Sequence, residues 1–432
     1  MKVRISATLA INEAIAKRKE QGLPVLPMGF GEAGLPVHPR LQEKLAEGAH
    51  KNAYGSVSGY LELREAIAGY WQRRGIQTNA EHIVCGPGSK PLLYALLMAI
   101  GGDVAIAAPS WVSYAAQAQI LGREPLLVPT LPGQGGVPNP MLLERAIEDA
   151  KAAGHEVKSV IVTLPDNPTG TLAHADTIQR LCDVAEKHDL LIISDEIYRD
   201  LVFDTEQGVV SPATISPQRT VVTTGLSKNL ALGGWRIGAA CLPNTETGNE
   251  LLAHVKGIAS EIWSSPSGPI QHAAAYAFSE PKELVERIAA SRKLHATVIN
   301  ALTQIFRDAG ASVSQPRGAF YLYPDMDSWR DYLRETFGIT TGPELANYFL
   351  HQHGLGVLPG SDFGDPIEAL RIRVTPSLLY GSTPQEREAA LAADNPLTLP
   401  WIASSLEQLR DILRQVSPVY AKERRVSSLV DA

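Results

Sequence analysis

The sequence predicts an α/β fold in which a mostly parallel sheet carries helices on both faces, followed by a smaller α+β domain. Two observations indicate this. Short apolar and β-branched runs alternate with amphipathic segments through most of the chain. After about Ser279 the pattern changes to long charged helical segments and short strands. With 432 residues, 44% of them hydrophobic, the chain is long enough to bury a large core.

The predicted sheet has seven strands, because seven short runs combine β-branched or apolar residues with flanking turn residues. In chain order they are His82–Cys85, Val104–Ala108, Pro125–Val128, Ser159–Leu164, Leu190–Ser194, Thr220–Thr224 and Arg236–Cys241. Helical patterns separate several of these strands, for example at Leu142–Ala152 and Ala175–His188.

Beyond the sheet, the sequence predicts a different set of elements. They are a charged helical stretch over Pro281–Ala309, short strands at Ala319–Tyr323 and Leu370–Val374, a loop at Ala392–Trp401 and a last helix near Ser404–Gln415.

Composition and charge exclude several classes of protein. The net charge is -7 and the basic residues are scattered, which argues against a nucleic-acid surface. The three cysteines lack the spacing of a disulfide framework or a zinc site, so no metal is expected. The most apolar segment, Pro91–Gly102, is shorter than a membrane span, and Asn12 and Glu13 interrupt the amino-terminal apolar run. These features predict a cytoplasmic protein.

Polar motifs follow four of the predicted strands, and ligands of open parallel sheets bind beyond the carboxyl ends of the strands. The motifs are Gly86-Pro87-Gly88-Ser89-Lys90-Pro91, Pro165-Asp166-Asn167-Pro168-Thr169-Gly170, Asp195-Glu196-Ile197-Tyr198 and the lone Lys228. Together they offer a glycine-rich helix start, an amide, a carboxylate, a phenol and an amine. That set suits an electron-poor heterocycle that carries an aldehyde and a phosphate.

In this order and spacing, the motifs resemble those of the class I/II aminotransferases, which are fold-type I enzymes that use pyridoxal 5'-phosphate (PLP). The matching motifs are Asn167-Pro168-Thr169-Gly170, Asp195-Glu196-Ile197-Tyr198, Ser227-Lys228, Gly234-Trp235-Arg236-Ile237-Gly238 and Arg371-Ile372-Arg373. The resemblance runs from Ser6 to about Pro376. It implies a large PLP-binding domain at 45–298, an arm and part of the small domain at 1–44, and the rest of the small domain at 299–432.

The resemblance also implies an activity: transfer of the amino group of an L-amino acid to a 2-oxo acid, by a ping-pong mechanism through pyridoxamine phosphate, in a homodimer with shared sites. A second hypothesis keeps the site but changes the bond broken, as in a PLP-dependent lyase, decarboxylase, cyclase or oxidase. A third is a PLP-sensing regulator, which the acidic balance of the chain opposes because such proteins bind DNA.

Five residues receive roles at the cofactor ring from this resemblance. Lys228 is expected to form the imine with the cofactor aldehyde and then to shuttle a proton. Asp195 is expected at the pyridine nitrogen, Tyr198 and Asn167 at the phenolic oxygen, and Trp111 stacked on the ring. Taken singly, four of them have an ordinary alternative: a surface lysine for Lys228, a helix cap for Asp195, a turn residue for Asn167 and a core aromatic for Trp111.

The cofactor phosphate is expected at the start of a helix, where free N–H groups and the helix dipole favour an anion. The expected phosphate ligands are Gly88, Ser89, Lys90, Ser227, Arg236 and, from a neighbouring subunit, Tyr54. Many family members carry a serine where this chain has Gly225, so either Thr224 or Ser227 is the expected substitute. For Tyr54, the alternative is a buried core tyrosine.

Substrate recognition is expected to rest on Arg371, which matches the family arginine that binds the α-carboxylate, together with Gly31 and Asn167. Arg373 stands where the family usually has serine, and is either a second anion contact or a structural ion pair. Lys90 matches a lysine that contacts the distal carboxylate in the bacterial-type aspartate/prephenate subgroup. The alternative for Lys90 is that it only lines the phosphate site.

Overall fold

The computed structural model describes residues 7–421 of the chain. Residues 1–6 of the predicted arm, including Ser6, and residues 422–432 of the predicted carboxyl-terminal domain lie outside the described residues.

The strands form one large sheet and two short pairs. In chain order they are β1 Leu26–Pro27, β2 Ile83–Gly86, β3 Asp103–Ala108, β4 Pro125–Leu131, β5 Gln134–Pro138, β6 Val157–Thr163, β7 Leu191–Asp195, β8 Thr220–Gly225, β9 Gly238–Cys241, β10 Leu355–Gly356, β11 Leu358–Pro359 and β12 Ile372–Arg373. The helices are α1 Ala7–Glu20, α2 Pro39–Glu47, α3 Leu61–Gln72, α4 Ser89–Ile100, α5 Val112–Ile120, α6 Pro140–Ala152, α7 Ala175–Lys187, α8 Pro212–Ile215, α9 Glu246–Ile262, α10 Gly268–Phe278, α11 Lys282–Asp308, α12 Arg330–Phe337, α13 Gly342–His353, α14 Pro384–Ala392 and α15 Pro400–Val416.

The large sheet has the strand order β2-β9-β8-β7-β6-β3-β4-β5 and is mostly parallel, which confirms the predicted fold class. All seven predicted strands are present, and only β5 and β9 run against their neighbours. Strand β5 was not predicted, because this edge strand contains Gly135 and Gly136 and lacks an apolar alternation. Gly136 has a φ of 80° and packs against the backbone of Thr163.

The predicted strand at Ala319–Tyr323 was wrong. This segment forms only isolated bridges, from Gly318 to Val202 and from Leu322 to Val374. Ala319 has a φ of 58°, a left-handed conformation that cannot continue a strand. The second predicted strand shortens to β12, and the last helix begins at Pro400 rather than near Ser404.

Residues from both ends of the described chain share one hydrophobic cluster. Leu26 and Met28, close to the amino terminus, are buried with Phe306 of α11 and Leu409 of α15. Helix α11 is continuous across residue 298, the predicted end of the large domain. The predicted domain limits therefore stay a prediction. The shared core brings the amino-terminal segment beside the sheet.

Three loops at the carboxyl ends of neighbouring parallel strands carry the predicted motifs to one edge of the sheet. Asp195 is the last residue of β7, Asn167 follows β6, and Lys228 follows β8. Helix α4 begins at Ser89 directly after Gly88, whose φ of 92° suits glycine. Within residues 7–421, no helix combines the length and the apolar character that crossing a membrane requires.

Candidate active site

A cavity of about 470 Å³ lies at this edge of the sheet. Most of the predicted site residues line it: Gly31, Ser89, Lys90, Trp111, Asn167, Asp195, Tyr198, Ser227, Lys228 and Arg236. Other lining residues were not expected there from the sequence, among them Phe30, Glu32, Tyr114, Thr163 and Tyr321. The structure therefore brings together motifs that are up to about two hundred residues apart, as the strand order requires.

Lys228 points into this cavity from the loop after β8. Its Nζ donates a hydrogen bond to the carbonyl oxygen of Gly31 at 2.6 Å. The pKa of Lys228 is lowered to about 8, mainly because the cavity wall removes the ammonium from water and secondly because Arg373 lies nearby. A fraction of this amine is therefore neutral near physiological pH, as a nucleophilic or basic lysine requires.

Asp195 lies at the bottom of the cavity with only 2% of its surface exposed. Its carboxylate accepts hydrogen bonds from the hydroxyl of Tyr114 at 2.9 Å and from the hydroxyl of Thr223 at 3.2 Å. Burial raises the pKa of Asp195 to about 6, and these hydrogen bonds oppose that effect. A buried carboxylate without a cationic partner is costly, so this position favours a ligand that carries positive charge.

Asn167 and Tyr198 form one hydrogen-bonded group with Arg373. The amide Nδ2 of Asn167 donates to the hydroxyl of Tyr198 at 3.3 Å, and its Oδ1 accepts from Nη1 of Arg373 at 3.1 Å. Nη2 of Arg373 donates to the carbonyl oxygen of Gly29 at 2.7 Å. These partners fix the orientation of the amide, and they join the loop after β6 to β12.

The structure does not bring Arg371 into the cavity, which contradicts the expected position of the carboxylate-binding arginine. Arg371 is half-exposed and forms ion pairs with Asp325 at 2.8 Å and with Asp365 at 3.1 Å. The cavity-lining arginine is Arg373, two residues later and only 1% exposed. Because two acidic side chains already neutralise Arg371, it is not available to a ligand.

At the other end of the cavity, the start of α4 meets Arg236. Arg236 has a φ of 54° and donates hydrogen bonds to the carbonyl oxygens of Gly233 at 2.8 Å and Pro87 at 3.1 Å. A Cβ atom added to Gly88 would lie 2.5 Å from Nη2 of Arg236. Glycine at position 88 is therefore what allows the guanidinium to approach the helix terminus.

Of the two candidates for the missing serine, Ser227 lines the cavity, and Thr224 is buried in β8 outside the lining. A Cβ atom on Gly225 would lie 2.8 Å from the carbonyl oxygen of Ile237. The close approach of this neighbouring backbone explains why a serine does not fit at Gly225.

Of the two remaining predicted cofactor ligands, Lys90 lines the cavity and Tyr54 does not. The Nζ of Lys90 is 4.9 Å from the ring centroid of Trp111, and partial burial, followed by the nearby Arg236, lowers its pKa. Tyr54 is 92% exposed and lies outside the cavity lining. The alternative that Tyr54 is a buried core residue is therefore wrong.

Four cationic side chains thus face one cavity: Lys90, Lys228, Arg236 and Arg373. Among the residues that the structure describes, none of the four forms an ion pair with a carboxylate. The Nε atom of Arg373 is buried and finds no hydrogen-bond partner within residues 7–421. Cationic side chains at both ends of the cavity, a buried carboxylate and a deprotonatable lysine fit a cofactor with a phosphate, a basic ring nitrogen and an aldehyde.

Comparisons with known proteins agree with this chemistry. The family model for class I and II aminotransferases matches residues 31–391. The aspartate/prephenate aminotransferase of Thermus thermophilus is 30% identical over 364 residues, which cover 83% of this chain and 89% of that protein. The asparagine–oxo-acid transaminase of Streptococcus mutans is 29% identical over 374 residues, which cover 84% of this chain and 90% of that protein. The structure of Thermus thermophilus aspartate aminotransferase with maleate superposes with a TM-score of 0.77 at 27% identity, covering 90% and 96% of the two chains.

Proposed function

The chain belongs to the class I and II aminotransferases and is a PLP-dependent transaminase, and from that premise we propose the roles of its cavity residues, an acidic substrate and a shared two-fold site. The enzyme transfers the amino group of an amino acid to a 2-oxo acid. The other PLP-dependent reactions that the sequence leaves open are not favoured by these relatives.

When bound, the cofactor supplies an aldehyde for the amino group and a ring that withdraws electrons from the reacting carbon. Lys228 would hold the aldehyde end, and its neutral amine would move a proton between the substrate Cα and the aldehyde carbon of the cofactor. The burial that lowers its pKa to about 8 supports this role, because a neutral amine is needed for both tasks. Trp111 covers one face of the ring.

Asp195 holds negative charge against the ring nitrogen, and the hydrogen bonds from Tyr114 and Thr223 keep its carboxylate in place. Tyr198 and Asn167 donate hydrogen bonds toward the phenolic oxygen. At the phosphate end, the backbone N–H groups at the start of α4, the hydroxyl of Ser227 and the guanidinium of Arg236 share the negative charge.

We assign the α-carboxylate of the substrate to Arg373, and the observation that supports this is its burial without an acidic partner. A guanidinium has five N–H groups, and two of them donate to Asn167 and to Gly29. The remaining donors include the unpartnered Nε–H. A buried arginine in this condition is costly unless an anion pairs with it, and an amino acid supplies one.

Replacing Arg373 with Leu should lower kcat/KM about 10- to 100-fold in both half-reactions, because a charge-assisted hydrogen bond contributes roughly 1.5–3 kcal/mol. The loss should be similar for an acidic and for a neutral amino acid, since every substrate carries the α-carboxylate. Single-turnover kinetics with one substrate of each kind measure this.

Arg371→Leu is the matched control. It should keep both rates near those of the parent enzyme while lowering thermal stability, because Asp365 loses its cationic partner. Normal rates in the Arg373→Leu enzyme beside a crippled Arg371→Leu enzyme would reverse the assignment.

We propose an acidic amino acid as the preferred substrate. The phosphate and the α-carboxylate account for Arg236 and Arg373, which leaves the ammonium of Lys90 at the cavity wall without a carboxylate among the described ion pairs. The Thermus thermophilus relative is named for aspartate and prephenate, and the solved structure of aspartate aminotransferase from Thermus thermophilus holds maleate, a dicarboxylate. Glu32, also on the lining, is the feature that opposes this preference.

Lys90→Met keeps the apolar stem of the side chain and removes its charge. We expect kcat/KM for aspartate to fall roughly 10-fold or more, while the value for a neutral amino acid changes little. Lys282→Met, at a lysine side chain that is 88% exposed, is the control and should change neither value. Equal losses for both substrates in Lys90→Met would instead place Lys90 at the phosphate.

We also propose that the enzyme is a two-fold dimer in which Tyr54 reaches the phosphate of the neighbouring subunit. Tyr54 is 92% exposed, so its side chain is free to contact a neighbouring subunit. Its loop is tied to Ser265, whose hydroxyl accepts a hydrogen bond from the N–H of Gly55 at 3.3 Å. Leu61, close to Gly55 in the chain, and Ile262, close to Ser265, are each 55% exposed as well.

A mixed dimer tests the shared site. Lys228→Ala and Tyr54→Ala homodimers should each have little activity at a limiting cofactor concentration. A heterodimer of the two has one site with both residues intact, so mixing them should restore one active site per heterodimer. Verified heterodimers that stay inactive, or a monomeric parent enzyme, would contradict the proposal.

A further inference from the structure

We propose that Tyr321 is a positioning residue that acts through Tyr198: its hydroxyl donates to Tyr198 and so strengthens the hydrogen bond that Tyr198 gives to an anionic oxygen in the cavity. The inference rests on the proposed contact between Tyr198 and the phenolic oxygen of the cofactor. Tyr321 is fully buried on the cavity wall, and its hydroxyl lies 2.8 Å from that of Tyr198.

The neighbouring hydrogen bonds do not fix which of the two hydroxyls donates to the other. Tyr198 accepts from Nδ2 of Asn167 at 3.3 Å. Tyr321 reaches the carbonyl oxygen of Gly31 at 3.5 Å, a long contact, and Lys228 already donates to the same oxygen at 2.6 Å. The bond between the hydroxyls can run either way, because either oxygen can donate.

Each phenol has a single proton to give. Burial raises the pKa of Tyr198 and of Tyr321, so both remain neutral over the working pH range. When an anionic oxygen in the cavity accepts the proton of Tyr198, that hydroxyl can no longer donate to Tyr321. Tyr321 must then donate to Tyr198 and give up its long contact with Gly31, which costs little because that contact is weak.

Accepting a hydrogen bond makes a hydroxyl a stronger donor, because the bonds in such a chain polarise one another. A pair of tyrosines therefore stabilises an anionic oxygen better than Tyr198 alone. Arg373 adds to this effect, since its guanidinium lies 4.9 Å from the ring centroid of Tyr321.

The backbone around Tyr321 is shaped to hold this hydroxyl in place. A Cβ atom on Gly31 would lie 2.7 Å from the Tyr321 hydroxyl oxygen. A Cβ atom on Gly170, in the turn that carries Asn167, would collide with the carbonyl oxygen of Tyr321. Glycine at both positions is thus explained by Tyr321, and the turn that aims Asn167 also fixes Tyr321.

The consequence is measurable without substrate. A donor to the phenolic oxygen stabilises the anion of that oxygen. In the lysine-bound cofactor this oxygen shares a proton with the cofactor nitrogen, so stabilising the anion favours loss of the shared proton. Stronger donation therefore lowers the pH midpoint of the visible absorbance of the bound cofactor, and weaker donation raises it. A residue that only packs against the site would not move this midpoint.

The experiment is a pH titration of the visible absorbance of the holoenzyme in Tyr321→Phe. The midpoint should rise by roughly 0.4–1 pH unit, which corresponds to the loss of one modest hydrogen bond. Tyr323→Phe is the matched control, because the hydroxyl of Tyr323 donates to Asp365, away from the cavity lining, and its midpoint should stay within about 0.1 unit of the parent. Gly31→Ala is a second variant that displaces the Tyr321 hydroxyl without removing it, and it should also raise the midpoint.

A double variant separates this inference from the proposed function. Tyr198→Phe should raise the midpoint further than Tyr321→Phe, and adding Tyr321→Phe to Tyr198→Phe should change nothing more. A normal midpoint in Tyr321→Phe beside a raised one in Tyr198→Phe would overturn the role of Tyr321 and leave that of Tyr198 intact. A normal midpoint in both would overturn the role of Tyr198 itself. An equal shift from Tyr321→Phe in the Tyr198→Phe background would show that Tyr321 does not act through Tyr198.

Discussion

The burial of charged side chains without ion-pair partners is the constraint on which this active site depends. Arg373 and Asp195 are buried on the cavity wall, Lys228 is partly buried there, and no described residue forms an ion pair with any of them, whereas Lys90 and Arg236 face the same cavity from exposed positions. Such an arrangement is costly in the free protein and becomes favourable when a ligand brings the missing charges. It also lowers the pKa of Lys228, so the same burial that creates the binding site prepares the amine for chemistry.

The fold supports this arrangement by aligning the ends of β6, β7 and β8, and by linking their loops through hydrogen bonds. Arg373, Asn167, Tyr198 and Tyr321 form a continuous chain that ends at the carbonyl oxygen of Gly31, where Lys228 also donates. Residues from the amino-terminal segment, the sheet and the carboxyl-terminal part of the chain thus hold one another in position. A change at any member is expected to reach the others.

Much of this could be predicted from the sequence, because strands and helix starts leave local signals. The β-branched run before Lys228 and the glycine and proline around Ser89 identify β8 and the beginning of α4. The choice between Arg371 and Arg373 could not be predicted in the same way. It depends on Asp325 and Asp365, which neutralise Arg371 through tertiary contacts that periodicity does not record. Tyr321 was missed for a similar reason, since the left-handed Ala319 turns its segment away from the expected strand.

The most direct test of this account is the titration of the Lys228 amine in the cofactor-free protein. The rate at which an amine-reactive reagent modifies Lys228, followed by mass spectrometry across a pH series, reports the fraction of neutral amine. We expect a midpoint near pH 8, against the ordinary lysine value of 10.5, and a higher midpoint in Arg373→Leu because a neighbouring positive charge is removed. Nα-acetyl-lysine, which has a free side-chain amine, calibrates the reagent in the same samples. A midpoint near 10.5 for Lys228 in the folded protein would show that the cavity does not desolvate the lysine, and would contradict the account.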